Sequence, residues 1–351
     1  MSPTTLTSTL HGAPPAKPAR VGSILAMLTP LERRHFLPPE HEHTLNGLSE
    51  HIVIVDPTDL TPAQWNDLLH EHDPEVLIAC WKTPPLPAKL PPSLRYLCYL
   101  AGSIKHLVTP AHLEQGLIVT NWGGSISRIV AEWTLFHILS CLRRATQWTL
   151  AMHTEGAWKN PETETASLFG RRIGIHGFGM VARELVKILQ PFGNAISVFA
   201  PDVTPAVEKR HHVRAAASLD DLFRNNDIVI ELAPLIPCTE NSVTEHHLRL
   251  LKPGGVFVNL GRGAVVEQEG LLRVAREGNI FIGLDVFVEE PLPPDSPFRG
   301  LRNVCLTPHL AGPTTDRRRD ATAFGLRNLA AYAEGRPLEA QITPAIYAQI
   351  T

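Results

Sequence analysis

The stretch LFGRRIGIHGFGMVARELVKILQPFG, residues 168–193, leaves a chain few ways to fold. Arg172–His176 alternates branched apolar residues with others, as a short buried strand does, and Arg183–Leu189 carries apolar residues at helical spacing. Between them stands Gly177-Phe178-Gly179-Met180-Val181-Ala182, the pattern G-x-G-x-x-A. In a strand–turn–helix Gly177 permits the tight turn, Gly179 lets backbone approach a pyrophosphate, and Ala182 lets the helix lie close to the sheet. Free N–H groups at the helix start, with the helix dipole behind them, favour negative charge there. The pattern alone also describes a glycine-rich turn without a ligand. The strand before it and the helix after it make dinucleotide binding the better reading.

Strands and helices alternate on both sides of this loop. Upstream, Gly22–Leu28, His51–Val55, Glu75–Cys80, Arg95–Leu100 and Leu117–Thr120 are predicted strands. Thr61–His70 is a predicted helix starting on Thr61, with Pro62 at its first position, and a short helix surrounds Pro110–Gln115. Downstream, strands are predicted at Ala195–Phe199, Asp227–Leu232, Val256–Leu260, Ile280–Val286 and Val304–Leu306. The helices between and after them are Leu219–Asn225, Glu245–Leu251, Gln268–Glu277 and Leu326–Glu334. Such β/α alternation with short connections implies parallel, doubly wound sheets, and 351 residues are enough for two such units. Ala101-Gly102-Ser103 directly follows a strand, at the carboxyl edge where these sheets bind ligands. Ile129–Arg144, IVAEWTLFHILSCLRR, is apolar over most of a helix's circumference and must be covered, either by another domain or by a second subunit. Ala145–Ser167 reads as a polar connection carrying Trp158.

Composition removes several function classes. A net charge of −3 shows no basic excess for nucleic acid, and no run of about eighteen apolar residues is available for a membrane span. Residues 1–21 contain Pro, Thr and Ser but no apolar core of a secretory signal, and are predicted to be a flexible arm. Five scattered cysteines, odd in number and without C-x-x-C, fit a reducing cytoplasm. Among seventeen histidines, His41/His43 and His70/His72 are spaced two apart, point to different faces of a helix and do not match H-E-x-x-H. Solvated surface is expected of them, and no metal.

Three segments place ionisable residues just after strands: Arg262 in VNLGRGAVV, Asp285 and Glu290 in GLDVFVEEPLPP, and His309 in LTPHLAGPT. Singly, each reads as an ordinary loop or surface residue. With GRRIGIHGFG and ELAPLIPCTENSV they follow one another, in order and spacing, in a way that resembles the D-isomer-specific 2-hydroxyacid dehydrogenases from about Ile52 to Gly335. That family includes glyoxylate/hydroxypyruvate reductases, phosphoglycerate dehydrogenase, D-lactate dehydrogenase and formate dehydrogenase.

The resemblance implies an enzyme that interconverts a small 2-keto acid and a D-2-hydroxy acid with NAD or NADP. It implies two Rossmann-like doubly wound parallel-sheet domains. Residues 122–312 would form the dinucleotide domain, inserted into a flavodoxin-like substrate-binding domain of residues 22–121 and 313–351. Arg262 would hold the substrate's carboxylate and keto oxygen with its planar fork. His309 would exchange a proton with that oxygen, and Glu290 would pair with the other ring nitrogen, fixing the tautomer and favouring the charged ring. Backbone N–H groups of Ala101, Gly102 and Ser103 would complete the carboxylate site. Gly177, Gly179, Met180 and Val181 would cradle the pyrophosphate, while Ala200, Pro201 and Asp202 would meet the adenosine ribose. Ala233, Pro234 and Thr239 would line the cofactor groove. Asp285 and the carbonyl of Leu260, next to Gly261 and Gly312, would hold the nicotinamide carboxamide. A homodimer through the inserted domain, using the apolar face of Ile129–Leu142, completes the expectation.

Two positions depart from the family pattern. Met180 stands where members often carry Arg. Ala200, 23 residues after Gly177, stands where NAD users place an acid, and no Arg follows it as in NADP users. Asp202 is near enough to repel a 2′-phosphate, so NAD is expected over NADP, with NADP possible. Formate oxidation is disfavoured because the family's formate dehydrogenases carry Gln at the place of Glu290. The remaining alternative is a dinucleotide-sensing binding protein like the C-terminal-binding corepressors, which retain the Arg, Glu and His; the lack of an obvious peptide-binding feature favours the enzyme.

Overall fold

The computed structural model describes residues 19–350, so residues 1–18 of the predicted arm lie outside it. Five strands form a first sheet: β1 (Ser23–Met27), β2 (His51–Val55), β3 (Val76–Ala79), β4 (Tyr96–Tyr99) and β5 (Ile118–Thr120). All pairs are parallel and the order is β2-β1-β3-β4-β5. β3 and β4 are buried along their whole length, as strands covered by helices on both faces must be. The connecting helices are α1 (Pro30–Phe36), α2 (Pro39–Leu48), α3 (Pro62–His72) and α4 (Pro110–Glu114). α1 and α3 start alike: Thr29 and Thr61 cap the backbone N–H of Glu32 and Gln64, whose side chains reach back to the cap. Each such cap contributes about 1 kcal/mol, and the proline that follows has no N–H to leave unpaired.

α5 (Ser127–Leu142) and α6 (Ala145–Glu155) lead into a second, seven-stranded sheet. It holds β6 (Arg172–His176), β7 (Ala195–Phe199), β8 (Arg214–Ala215), β9 (Ile228–Glu231), β10 (Val256–Asn259), β11 (Phe281–Leu284) and β12 (Val304–Leu306). The order is β12-β11-β10-β9-β6-β7-β8, again parallel throughout. Its helices are α7 (Met180–Leu189), α8 (Pro205–His211), α9 (Leu219–Asn225), α10 (Glu245–Leu250) and α11 (Gln268–Glu277). From β6 the chain runs outward to β7 and β8, then crosses back to β9. The loops after β6 and β9 therefore diverge and leave a crevice at the carboxyl ends of the strands.

After β12 the chain returns to the first sheet as α12 (Arg318–Ala333), which packs on α1, α2 and β4. Gly325 makes that approach possible, since a Cβ there would lie 2.9 Å from the Cys98 sulfur. Farther on, the Ile342 N–H donates to Val119 and extends the β5 edge. The cores divide along the same line. Two clusters combine residues 21–119 with Ala321, Leu326, Leu329 and Ile342, while the other two draw on residues 126–311. Trp122 packs against clusters of both kinds.

Four elements differ from the sequence reading. The expected polar connection after Ala145 opens with the helix α6, whose weak pattern leaves Leu150 and Met152 exposed. α8 and β8 were not predicted, because α8 buries none of its residues and so has no apolar face to read. α12 begins eight residues before the predicted Leu326: its first half is buried mainly through small residues such as Ala321 and Gly325, with Phe324 its one large apolar side chain. α5 lays Val130, Ala131, Ile138 and Cys141 against the second sheet and α7, leaving Phe136 exposed on the other side. No helix among the described residues is long and apolar enough to cross a membrane.

Candidate active site

The loop after β6 has the conformation its glycines suggest. Gly177 takes φ +85°, and a Cβ there would lie 2.7 Å from the backbone of Ala233, so the two loops that flank the crevice touch through this glycine. Gly179 is the N-cap of α7, has nothing within 4 Å of its would-be Cβ, and leaves the helix start without a side-chain cap. The N–H groups of Met180 and Val181 thus face open space at the positive end of a helix. This donor set fits a dinucleotide phosphate.

On the far side of the crevice, the Thr239 hydroxyl donates to the Pro234 carbonyl at 2.5 Å and accepts from the Ile236 N–H, closing the turn after β9. At the end of β7, Ala200 and Pro201 offer no carboxylate. Asp202, expected to repel a 2′-phosphate, has Arg183 of α7 3.5 Å away. Gly261 lies against the Ala233 carbonyl, and Gly312 has free space around it.

Arg262, Glu290 and His309 converge at the carboxyl ends of β10, β11 and β12. His309 Nδ1 lies 2.6 Å from a Glu290 oxygen, and the other Glu290 oxygen accepts the Phe287 N–H at 2.9 Å. Arg262 is held by its loop: the Asn259 side chain accepts from the Gly261 N–H and donates to the Arg262 carbonyl. Burial pushes the Arg262 guanidinium below its ordinary value, and the nearby Glu290 charge opposes this. Gly263 is required there, since a Cβ would overlap the Phe287 carbonyl group. His309 adopts φ +52°, a conformation that costs a non-glycine residue about 1–3 kcal/mol and persists only where neighbours dictate it. A cavity of about 600 Å³ borders the pair, lined by Phe287, Leu292, Leu306 and Pro308 among others.

Asp285, fully buried, organises the segment that carries His309. One carboxylate oxygen accepts from Thr307 Oγ1 at 2.5 Å, the Leu310 N–H at 2.9 Å and Trp133 Nε1 at 3.2 Å; the other accepts from the Ala311 N–H at 2.8 Å. Its backbone carbonyl receives the His309 N–H at 2.9 Å. The carboxylate expected to hold a carboxamide is thus bonded within the chain chiefly through one oxygen, its other oxygen taking the Ala311 N–H alone, and Leu260 is fixed beside it by its N–H to the Glu231 carbonyl. Ala101, Gly102 and Ser103 follow β4 of the first sheet as expected. Their hydrogen bonds run to Asn121, Trp122 and His106, and none reaches Arg262, Glu290 or His309.

Sequence reasoning missed a second His–Glu pair, this one buried. His176, at the end of β6, meets Glu231, at the end of β9, at 2.6 Å, and Glu231 also accepts the Ala233 N–H at 2.7 Å. The pair ties together the two strands whose loops flank the crevice. Its only sequence signal is a polar residue closing an otherwise apolar strand, in RIGIH and in IVIE; Asn259 in VFVN has the same form. Among the described residues, no group of His, Cys, Asp and Glu is placed to hold a metal ion.

Residues 135–311 match the family model for the NAD-binding domain of D-isomer-specific 2-hydroxyacid dehydrogenases. The chain is 31% identical over 252 residues to a glyoxylate reductase of Aeropyrum pernix, covering 70% of this chain and 75% of that one. With a glyoxylate reductase of Thermofilum pendens it shares 30% over 298 residues, 81% of this chain and 86% of the other. The crystal structure of a glyoxylate reductase from Paecilomyes thermophila has the same fold, with a TM-score of 0.77 at 21% identity over 92% of this chain and 98% of that one.

Proposed function

Because the chain belongs to the D-isomer-specific 2-hydroxyacid dehydrogenase family, we propose that it interconverts a small 2-keto acid and a D-2-hydroxy acid with NAD(P). Glyoxylate is the first substrate to test, since it names the relatives quoted above. The observation that carries the reading is the 2.6 Å contact between His309 Nδ1 and Glu290 at the carboxyl ends of the strands, with Arg262 beside it.

An NAD(P) cofactor held by the Gly177 loop would supply or remove a hydride. The chain's own residues do the rest. Glu290 occupies Nδ1 of His309, so Nε2 is the nitrogen left to give a proton to the keto oxygen, or to take one from the alcohol. Side-chain exposure of 48% leaves that ring reachable. Glu290 is itself held by the Phe287 N–H, so the imidazole has a fixed partner on one side and a free nitrogen on the other. Arg262 spends one Nη1 hydrogen on the Gly261 carbonyl at 2.7 Å and would turn its remaining N–H groups to a carboxylate and the adjacent oxygen. The Gly177 loop and the start of α7 would hold the cofactor's phosphates. Residues 122–312 would form its domain and residues 22–121 with 313–351 the substrate-binding one, Ala101–Ser103 facing the carboxylate.

His309→Ala is expected to lower turnover of glyoxylate about 10²–10⁴-fold while leaving cofactor binding nearly unchanged. Arg262→Lys should mainly raise the Michaelis constant for the keto acid, because an ammonium cannot reproduce a two-pronged contact. Steady-state kinetics with a fluorescence titration of NADH separates these effects. Near-parental reduction by His309→Ala would sink the mechanism.

A further inference from the structure

The buried group that this mechanism leaves unused is His137, on α5. It is fully buried, and its Nε2 lies 2.8 Å from Thr307 Oγ1. Thr307 Oγ1 in turn lies 2.5 Å from the Asp285 carboxylate. A hydroxyl has one hydrogen, and beside a buried carboxylate that hydrogen goes to the negative oxygen. Thr307 therefore has only lone pairs to offer His137, and His137 must carry its hydrogen on Nε2. The other nitrogen, Nδ1, is then bare. It has no hydrogen-bond partner and rests against Gly283 of β11, where a Cβ would stand only 2.8 Å from it.

Direction follows from this tautomer. His137 donates to Thr307, Thr307 donates to Asp285, and Asp285 holds Leu310 and Ala311 by its carboxylate and His309 by its backbone carbonyl. His309 sits between these anchors with φ +52°, a conformation that its neighbours must impose. The same carboxylate takes a further bond from Trp133, one turn before His137 on α5. Burial keeps the His137 ring neutral, pushing it down to about 4, so the donor arrangement does not change with proton uptake in the working range.

We propose that His137 is a positioning residue: through Thr307 and Asp285 it holds the segment carrying His309 in the conformation in which the imidazole meets Glu290. The proposal rests on the reading of His309 as the proton-transfer group. His137→Leu removes the donor, and Gly283→Ala displaces the ring without touching any bonded group. His137→Gln puts an amide N–H where Nε2–H was.

With glyoxylate and NADH, His137→Leu and Gly283→Ala are expected to lower kcat about 10–100-fold, as small misplacements of a reacting group do. The dissociation constant for NADH should stay within about twofold, since none of these hydrogen bonds runs to the Gly177 loop. His137→Gln should restore most of kcat. In the free protein, the His309 ring resonances in ¹H–¹⁵N spectra should move in His137→Leu and return in His137→Gln. Unmoved His309 resonances in His137→Leu, or parental kcat in both disruptive variants, would overturn the proposal. A loss of kcat matched by equal loss of NADH affinity would overturn it too, by revealing general unfolding. Failure of the parent to reduce any keto acid would instead overturn the reading of the active site, while the spectra would still decide the role of His137.

Discussion

His309 and its neighbours owe their arrangement to hydrogen bonds that no spacing rule announces. Arg262, Glu290 and His309 were legible because each follows a strand in an ordered set of motifs. His137, His176 and Glu231 were not, because a polar residue inside an apolar run has no meaning until its partner across the fold is known. His137 gives one prediction of its own. In the unfolded chain it takes a proton near pH 6.5, whereas burial pushes the native ring down to about 4. The native state thus resists a proton that the unfolded state accepts, so stability is whole above about pH 7 and falls as the pH drops from 6.5 towards 4. His137→Gln removes this contribution. Its stability should decline less than the parent's between pH 7 and 4.5, by up to roughly 2–3 kcal/mol in urea titrations. A parallel decline of the two proteins would contradict the burial argument. Asp202 gives a second. Arg183 is held 3.5 Å from it, which keeps a cation beside the strand end proposed to meet the ribose. Asp202→Ala should free that guanidinium for a 2′-phosphate and raise the ratio of kcat/KM for NADPH over NADH about tenfold. An unchanged ratio would mean that Arg183 does not reach the ribose.

At the scale of elements, what the sequence made legible was whatever buries a regular face. β6, β7 and α11 stand where alternation and helical spacing put them, and α3 starts on its threonine cap. α8 failed because it buries nothing, and α12 was cut short because small residues, rather than leucines, seat its first half on Cys98 and Leu100. α5 was recognised as needing cover on most of its circumference, and its own sheet supplies much of it. The remainder includes Phe136, 43% exposed and stacked on Trp133 at 4.6 Å. We propose that a second copy covers this face. Light scattering at micromolar concentration should give a dimer, and Phe136→Glu, which sets a charge into a contact that must exclude water, should shift it to monomer. A parent that is monomeric, or a variant that remains dimeric, would place the contact elsewhere or remove it.

For the whole molecule, the two-sheet plan was readable because β/α alternation continues on both sides of the glycine loop. The return of the chain to its first sheet was implied by the family resemblance and by no local pattern. The cores divide so cleanly that residues 122–312, expressed alone, should fold cooperatively and bind NADH within about tenfold of the intact protein. Failure to bind would show that Trp122 and the first unit are needed to shape the crevice. The return also sets a timetable. α12 covers the face of the first sheet that holds Ile24, Ile78, Cys98 and Leu100, yet about 290 residues separate the end of β1 from the start of α12. At roughly 5–20 residues per second of synthesis, that face waits on the order of 15–60 s for its cover. In that interval the later sheet receives all seven of its strands. A ribosome paused after residue 312 would therefore hold a finished cofactor unit tethered to an older sheet with one greasy side only partly covered, by α1 and α2, the surface on which a chaperone settles.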